Sequence, residues 1–499
     1  MADQQADQQK EVGYERLGGK KLGLVDVIAQ SVGFMGPVFS AAFIIPLIIG
    51  VNFAARGAGT SAPLAVLLAG IGVFALGWIV AQYAKRIHAA GSLYDYVTNG
   101  LGTTVGAAAG WLYYAGTIML TTGLGLLIGG YVHDNLMPVV FSVDGGLFPI
   151  WVWQAIFALG LFAVLYFGVQ ISTRVQLTLA LISVAVVLTY FISVIIRLGG
   201  DNDFAKAFNT NPSPDGFTGI MFGVLYGVLI FVGFETAANL AEETAEPKKS
   251  IPKAVLLSVV VVSVFYIIAA YVEVAGFGFD MAVITDPAVA GAPLFALGAP
   301  GGQFGSEFVL KLLLVVVFLD MLAVYVGAGV ASTRGIFAMA RDRRLPAMAA
   351  GVSEKYGTPT GAIAVLMVIQ VLLIAASQWW TALFALPGLP HYFSLFAWCA
   401  TFGGFALIVV YFLMSIGAIR GLADEPAKAK LWISIILGLV VTSAAIFGSF
   451  YKVPSPTVLA PWYAVIWFVI GLVLMAVSKG REPASQALGD LHSTAAEGS

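Results

Sequence analysis

The stretch Phe231-Val-Gly-Phe-Glu-Thr-Ala-Ala-Asn-Leu-Ala-Glu-Glu243 closes an apolar run that begins near Phe217. A helix entering lipid has little reason to carry Gly233, Glu235 and Asn239 so close together, because glycine weakens the helix and the polar pair costs desolvation energy. The sequence therefore predicts an interruption here. A broken membrane helix leaves backbone N–H and C=O groups unpaired, and these survive in lipid only where protein buries them or they line a polar cavity. Such a break marks a solute site.

The rest of the chain supplies the membrane context. At 499 residues, 59% of them hydrophobic and 10% charged, with a mean hydropathy of +0.92, the chain is too poor in charge for a soluble protein of its size. The formal net charge of −2 offers no basic surface to nucleic acid. The one cysteine, Cys399, has no partner for an intrachain disulfide and reads as packing. No residue pattern asks for a cofactor or a metal. The polar N-terminus lacks the order of a cleaved signal, so the first hydrophobic span is expected to stay in place.

Apolar runs long enough for roughly 30 Å of hydrocarbon number about twelve: 24–50, 62–84, 104–132, 148–169, 173–197, 217–241, 253–276, 307–339, 360–378, 391–415, 431–449 and 459–477. With the N-terminus inside, 20 of the 25 lysines and arginines fall on the cytoplasmic side, so both termini are expected there. Trp379, Trp380 and Trp462 stand at span ends, as interfacial aromatics do.

The first span reads Gln30-Ser-Val-Gly-Phe-Met-Gly-Pro37 in its middle. Pro37 removes a helix donor, while Gly33 and Gly36 leave the backbone unshielded. Spans one and six would each open a five-span half, 24–197 and 217–415, and matching interruptions in two halves point to a transporter's central site. Spans 431–477 show neither break nor buried charge and read as scaffold, between a cytoplasmic N-tail (1–23) and a cytoplasmic C-tail (478–499).

Other features are more local. The stretch from Lys85 to Gly102 reads as a short amphipathic segment at the membrane face. Span three, with Gly106, Gly110, Gly125 and Gly129, should pack deep in the bundle and bring Trp111, Tyr113 or Tyr114 near the cavity. The charge-dense stretch Glu242 to Lys253 reads as a solvated cytoplasmic linker, with Glu242-Glu243 belonging to a cytoplasmic hinge, and Glu273 as an interfacial acid near the outer end of span seven. Asp320 lies well inside span eight, where a carboxylate costs about 2.5–3.5 kcal/mol on insertion scales and is normally paired or set in a polar cavity. The four histidines fall in loops or at span ends, so no enzyme constellation is visible. Polar groups cluster at mid-depth and do not run the length of several helices, as a channel would require.

Together these residues resemble the amino acid permeases of the amino acid-polyamine-organocation (APC) superfamily. The likeness is carried by Gly233-Phe234-Glu235, by Glu242-Glu243 with Pro247 and Ile251-Pro252, by Arg334 with Met339-Ala-Arg-Asp342 and Leu345-Pro346, and by Gly91-Ser-Leu-Tyr94. It implies an all-α, five-plus-five inverted-repeat fold with broken helices one and six, two extra C-terminal helices, and alternating access in the plasma membrane. It further implies that exposed amides from Ser31 to Gly36, including Gly33, Phe34 and Met35, receive a substrate carboxylate. Carbonyls at Phe231, Val232 and Gly233 would meet its ammonium, and Phe234 would cover the ligand. Glu235 or Asp320 would be the titrating or amine-pairing acid. Ser332 and Thr333 could serve a sodium site, although helix hydroxyls mostly bond their own backbone. Where some proton-coupled members carry a lysine in span five, this chain has Ser183, which removes that mechanism. The expectation is a secondary transporter of amino acids, working by proton-coupled symport or exchange, with a polyamine or organic amine carrier as the alternative.

Overall fold

The computed structural model describes residues 22–51, 56–379, 385–386, 389–451, 453 and 455–477. Most of both predicted tails, together with Trp380, Lys452, Lys479 and Arg481, lies outside the described residues. Among those described, eleven helices are long and apolar enough to cross a membrane, and Gly216–Leu229 is a shorter apolar helix. The difference from twelve spans arises at the sixth, where the break leaves only 14 helical residues.

The first span divides into α1 (Leu24–Met35) and α2 (Pro37–Phe43), followed by a turn of helix at Ile45–Ile49. Then come α3 (Ala62–Ala84), α4 (Leu93–Leu101), α5 (Thr103–Tyr131), α6 (Ile150–Phe167) and α7 (Val169–Leu198). The sixth span is α8 (Gly216–Leu229), an irregular turn, and a 3-10 helix at Thr236–Glu243. It is followed by α9 (Pro247–Ala275), α10 (Glu307–Arg341), α11 (Thr360–Trp379), α12 (His391–Gly421), α13 (Lys428–Gly448) and α14 (Leu459–Val477).

Glycine sets the interior spacing. Along α5, Gly116 faces Gly403 of α12, Gly123 lies against Cys399, and Gly129 against Gln154 of α6. Backbones can approach this closely only where no side chain intervenes, which places α5 in the centre of the bundle. Within the segment expected at the membrane face, Lys85 and Arg86 are exposed, but Leu93–Leu101 forms α4 and is mostly buried: Gly100 meets the Gly417 backbone of α12, and Thr98 meets Gly106. A hydrophobic pattern alone does not separate a helix lying on a membrane from one held under a bundle. Outside the core, α13 and α14 present apolar rows such as Ile436, Val440, Val469 and Val473. Trp467 of α14 stacks on Trp111 of α5, with ring centroids 4.7 Å apart. Trp379 and Trp462 are exposed at helix ends.

Candidate functional site

Both predicted interruptions are present, and they face one another. In the first, Gly36 takes a left-handed conformation (φ 57°) between α1 and α2, and Pro37 starts α2. In the second, Gly233 has φ 108°, and a Cβ there would lie 2.1 Å from the Phe34 ring. Only glycine allows that crossing. Polar groups tie the two breaks together. Ser31 Oγ donates to the Phe234 carbonyl (2.8 Å) and accepts from the Ala237 amide (3.1 Å), while the Tyr266 hydroxyl of α9 lies within donating distance of the Met35 (3.1 Å) and Ile230 (2.7 Å) carbonyls.

Two buried acids complete the arrangement. Glu235 receives the Tyr113 hydroxyl on one carboxylate oxygen (2.6 Å) and the Tyr411 hydroxyl on the other (2.7 Å), joining α5, the second break and α12. Asp320 Oδ2 accepts the amides of Val38 (2.9 Å) and Phe39 (2.7 Å), and Oδ1 has no hydrogen-bond partner among the described residues. Ser31 to Met35 lie within α1, so the N–H groups that this break sets free begin beyond Pro37. They are held by the protein's own carboxylate.

A cavity of about 220 Å³ extends from the breaks toward one end of the bundle. Phe34, Met35 and Val232 from the predicted set line it, with Phe39, Ser40, Tyr226, Thr401 and Phe396 beside them and Arg56 and Thr457 farther along. Ser31, Gly33, Gly36, Phe231, Gly233 and Phe234 are not part of that lining. Phe234 is buried with its ring 5.3 Å from that of Tyr411. Ser332 meets Thr121 of α5 (3.2 Å), and Thr333 donates to the Gly329 carbonyl of its own helix (2.8 Å). Of the span-three aromatics, Tyr113 reaches Glu235 and Tyr114 donates to the Gly91 carbonyl (2.6 Å).

The opposite end is sealed by buried charge. Glu243 pairs with Arg334 of α10 (3.3 Å) and Glu242 with Arg341 (2.9 Å), all at most 5% exposed at the side chain. Glu242 also accepts the Ala90 amide (2.9 Å), Tyr94 of α4 donates to Asp342 (3.0 Å), and Leu22 bridges to Thr244. The start of the linker expected as a hinge is thus locked in the interior, because two arginines projecting from α10 meet its acids.

Both breaks and the two acids at them are legible in the sequence, whereas Tyr113 and Tyr411 as partners of Glu235, Tyr266 as the bridge, and the aromatic lining from α2 and α12 are not. The glycines of span three draw notice to Tyr113, but tyrosines in apolar spans are common, and no local pattern pairs Tyr113 and Tyr411 with Glu235 or marks Tyr266.

Interrupted helices meeting at mid-length, with a cavity reaching one end and buried ion pairs closing the other, define a membrane transporter of the broken-helix class. A crystal structure of a manganese transporter from Eremococcus coleocola, in complex with an aromatic bis-isothiourea substituted compound, has the same fold: TM-score 0.56 at 14% identity, covering 90% of this chain and 94% of that one. The family model for amino acid permeases matches residues 32–482, and the chain belongs to that family. It is similar to the methylthioribose transporter of Bacillus subtilis (strain 168), 25% identical over 84% of this chain and 86% of that one. It is also similar to the branched-chain amino acid permease BcaP of Lactococcus lactis subsp. cremoris (strain MG1363), 24% identical over 90% and 92% of the two chains.

Proposed function

We propose that this permease moves amino acids across the plasma membrane by alternating access, as proton-coupled symport or substrate exchange, with both termini cytoplasmic. The observation that carries the reading is a cavity beside two facing helix breaks, open toward one end of the bundle and closed at the other by paired buried charges. In this orientation the conformation faces outward, and the Arg334–Glu243 and Arg341–Glu242 pairs form the inner seal. Substrate contacts Phe34, Met35 and Val232, while Ser31, Gly33, Gly36, Phe231, Gly233 and Phe234 shape the breaks behind them. Glu235 and Asp320 are the candidate coupling acids, since each joins a broken segment to another helix and protonation would weaken the join by removing its charge. Ser332 and Thr333 are the candidate sodium ligands should a sodium gradient drive uptake.

One observation favours a second reading. The Val38 and Phe39 amides already hold Asp320, so an organic amine without a carboxylate fits this conformation without displacing it. The methylthioribose transporter is a relative whose named cargo is not an amino acid.

The test is uptake into proteoliposomes of amino acids and their decarboxylated amines, with proton, sodium and counter-substrate gradients applied separately. Saturable uptake with counterflow is expected. Flux that neither saturates nor exchanges would indicate a channel and refute the reading.

A further inference from the structure

The chain buries a third acid in a span, and neither the breaks nor the inner seal uses it. Glu273 of α9 is fully buried, and neither of its carboxylate oxygens has a hydrogen-bond partner among the described residues. The sequence placed it at an interface. Instead that end of α9 is covered, with Leu297 of the short helix Pro293–Gly298 against Gly276. The contrast with the other acids is sharp. Glu235 holds two hydroxyls, Asp320 two amides, and Glu242 and Glu243 face arginines.

Among the described residues no cation pairs with Glu273 from the elements packed on α9: Lys206 of the short helix Phe204–Ala207, which reaches α9 through the Phe204–Tyr271 stack, lies over the Phe279 ring. Helix α3 runs antiparallel to it, Gly70 lying against Ser263 and Gly77 near Val255, so Glu273 is level with the start of α3, and the one titratable residue of α3, Tyr83, is at its far end. Helix α2, Ile45–Ile49, Gly59–Ser61 and Pro293–Gly298 contain no charged residue. Asp26 of α1, and Glu242 and Glu243 of the 3-10 segment, lie at the opposite end. Arg197 of α7 is engaged by the Gln303 carbonyl and lies over the Phe304 ring. Tyr271 of α9 itself donates to Asn202 (2.8 Å).

We propose that Glu273 is a proton-binding site of this transporter, separate from the cavity at the breaks. An unpaired carboxylate charge is not sustained in such surroundings, whereas a proton turns the group into a neutral acid and needs no coordination shell. No group of three histidine, cysteine or acidic residues that could hold a metal ion occurs among the described residues. Glu273 also stands where its charge would be felt. It is seven residues beyond Tyr266, on the same face and about 10 Å along the axis, and Tyr266 bridges the two breaks. The end of α9 that carries Glu273 packs against α2, Ile45–Ile49 and the short helix Pro293–Gly298, so wetting Glu273 to release its proton requires repacking beside the outer half of the broken first span.

The proton's role in coupling rests on the transport reading above, but its presence does not. In the reconstituted full chain at pH 7, the infrared difference between wild type and E273Q is expected to show the C=O band of a neutral carboxylic acid. Loss of carboxylate bands instead overturns the proposal. If E273Q is not recovered, E273M supplies the reference spectrum. In proteoliposomes E273Q should keep counterflow within about twofold while pH-gradient-driven accumulation falls at least tenfold, and E273D should restore part of it. Unchanged accumulation in E273Q overturns the coupling role. If wild type shows neither counterflow nor driven uptake, the transport reading fails while the infrared result still decides the state of Glu273.

Discussion

Replacing Tyr113 by Phe removes one of the two hydroxyls that hold Glu235, and the structure sets the size of the effect. The bond is 2.6 Å long, lies wholly in the interior and ends on a carboxylate whose other oxygen is held by Tyr411 at 2.7 Å. Hydrogen bonds to charged groups are worth about 1.5–3 kcal/mol net, and each 1.4 kcal/mol is about a factor of ten in an equilibrium. If these bonds hold the inner side shut, losing one raises the population open to that side by roughly 10- to 150-fold. A reporter is available on the same face of α5: Thr117, one turn beyond Tyr113, is fully buried. The assay is the reaction of Thr117→Cys with a water-soluble maleimide from the cytoplasmic face, in a Cys399→Ala background that removes the sole native thiol. Labelling should accelerate by that factor in Y113F and comparably in Y411F. Rates within twofold of the Tyr113 parent in both variants would refute the view that Glu235 holds this side closed.

Three further outcomes follow from the same geometry. Gly233→Ala meets the Phe34 ring in a backbone conformation that disfavours a side chain, at a cost of about 1–3 kcal/mol for the strain and a similar amount for overpacking; transport should be lost and thermal unfolding of the purified protein lowered, with partial recovery in a Phe34→Ala background. Arg334→Met strands Glu243 unpaired in the interior and should cost about 3–5 kcal/mol, whereas adding Glu243→Gln should recover much of it; equal unfolding temperatures for the single and double variants would show that the pair is not coupled. Asp320→Ala leaves the Val38 and Phe39 amides without an acceptor, at about 1–3 kcal/mol for each, and Asp320→Asn, which keeps an acceptor, should be the milder of the two in thermal unfolding.

Much of this was legible in the residues. The predicted span 62–84 coincides with α3, and 459–477 with α14, because the length of an apolar run is a property of the run itself. The breaks were legible from local combinations: Gly36 with Pro37 in the first span, and Gly233 beside Glu235 and Asn239 in the sixth, although Gly33 itself stays helical. The burial of the linker acids and of Glu273 was not legible, because burial of a charge near a helix end depends on what folds over it, here the arginines of α10 and the short helix Pro293–Gly298.

The sequence by itself determined that this chain is an all-helical membrane protein, where its helices run and which two must break, since hydropathy and backbone preference act over a few residues. The tertiary structure decided which groups meet. Glu235 finds Tyr113 and Tyr411 at separations of 122 and 176 residues, and Asp320 reaches the amides of Val38 and Phe39 across more than 280. Those pairings depend on how far glycine-lined helices approach and how each is rotated about its axis, and packing settles both only when the bundle closes. Glu273 shows the same division: its carboxyl group is written in the sequence, but that it is buried without a hydrogen-bond partner among the described residues is a property of the fold.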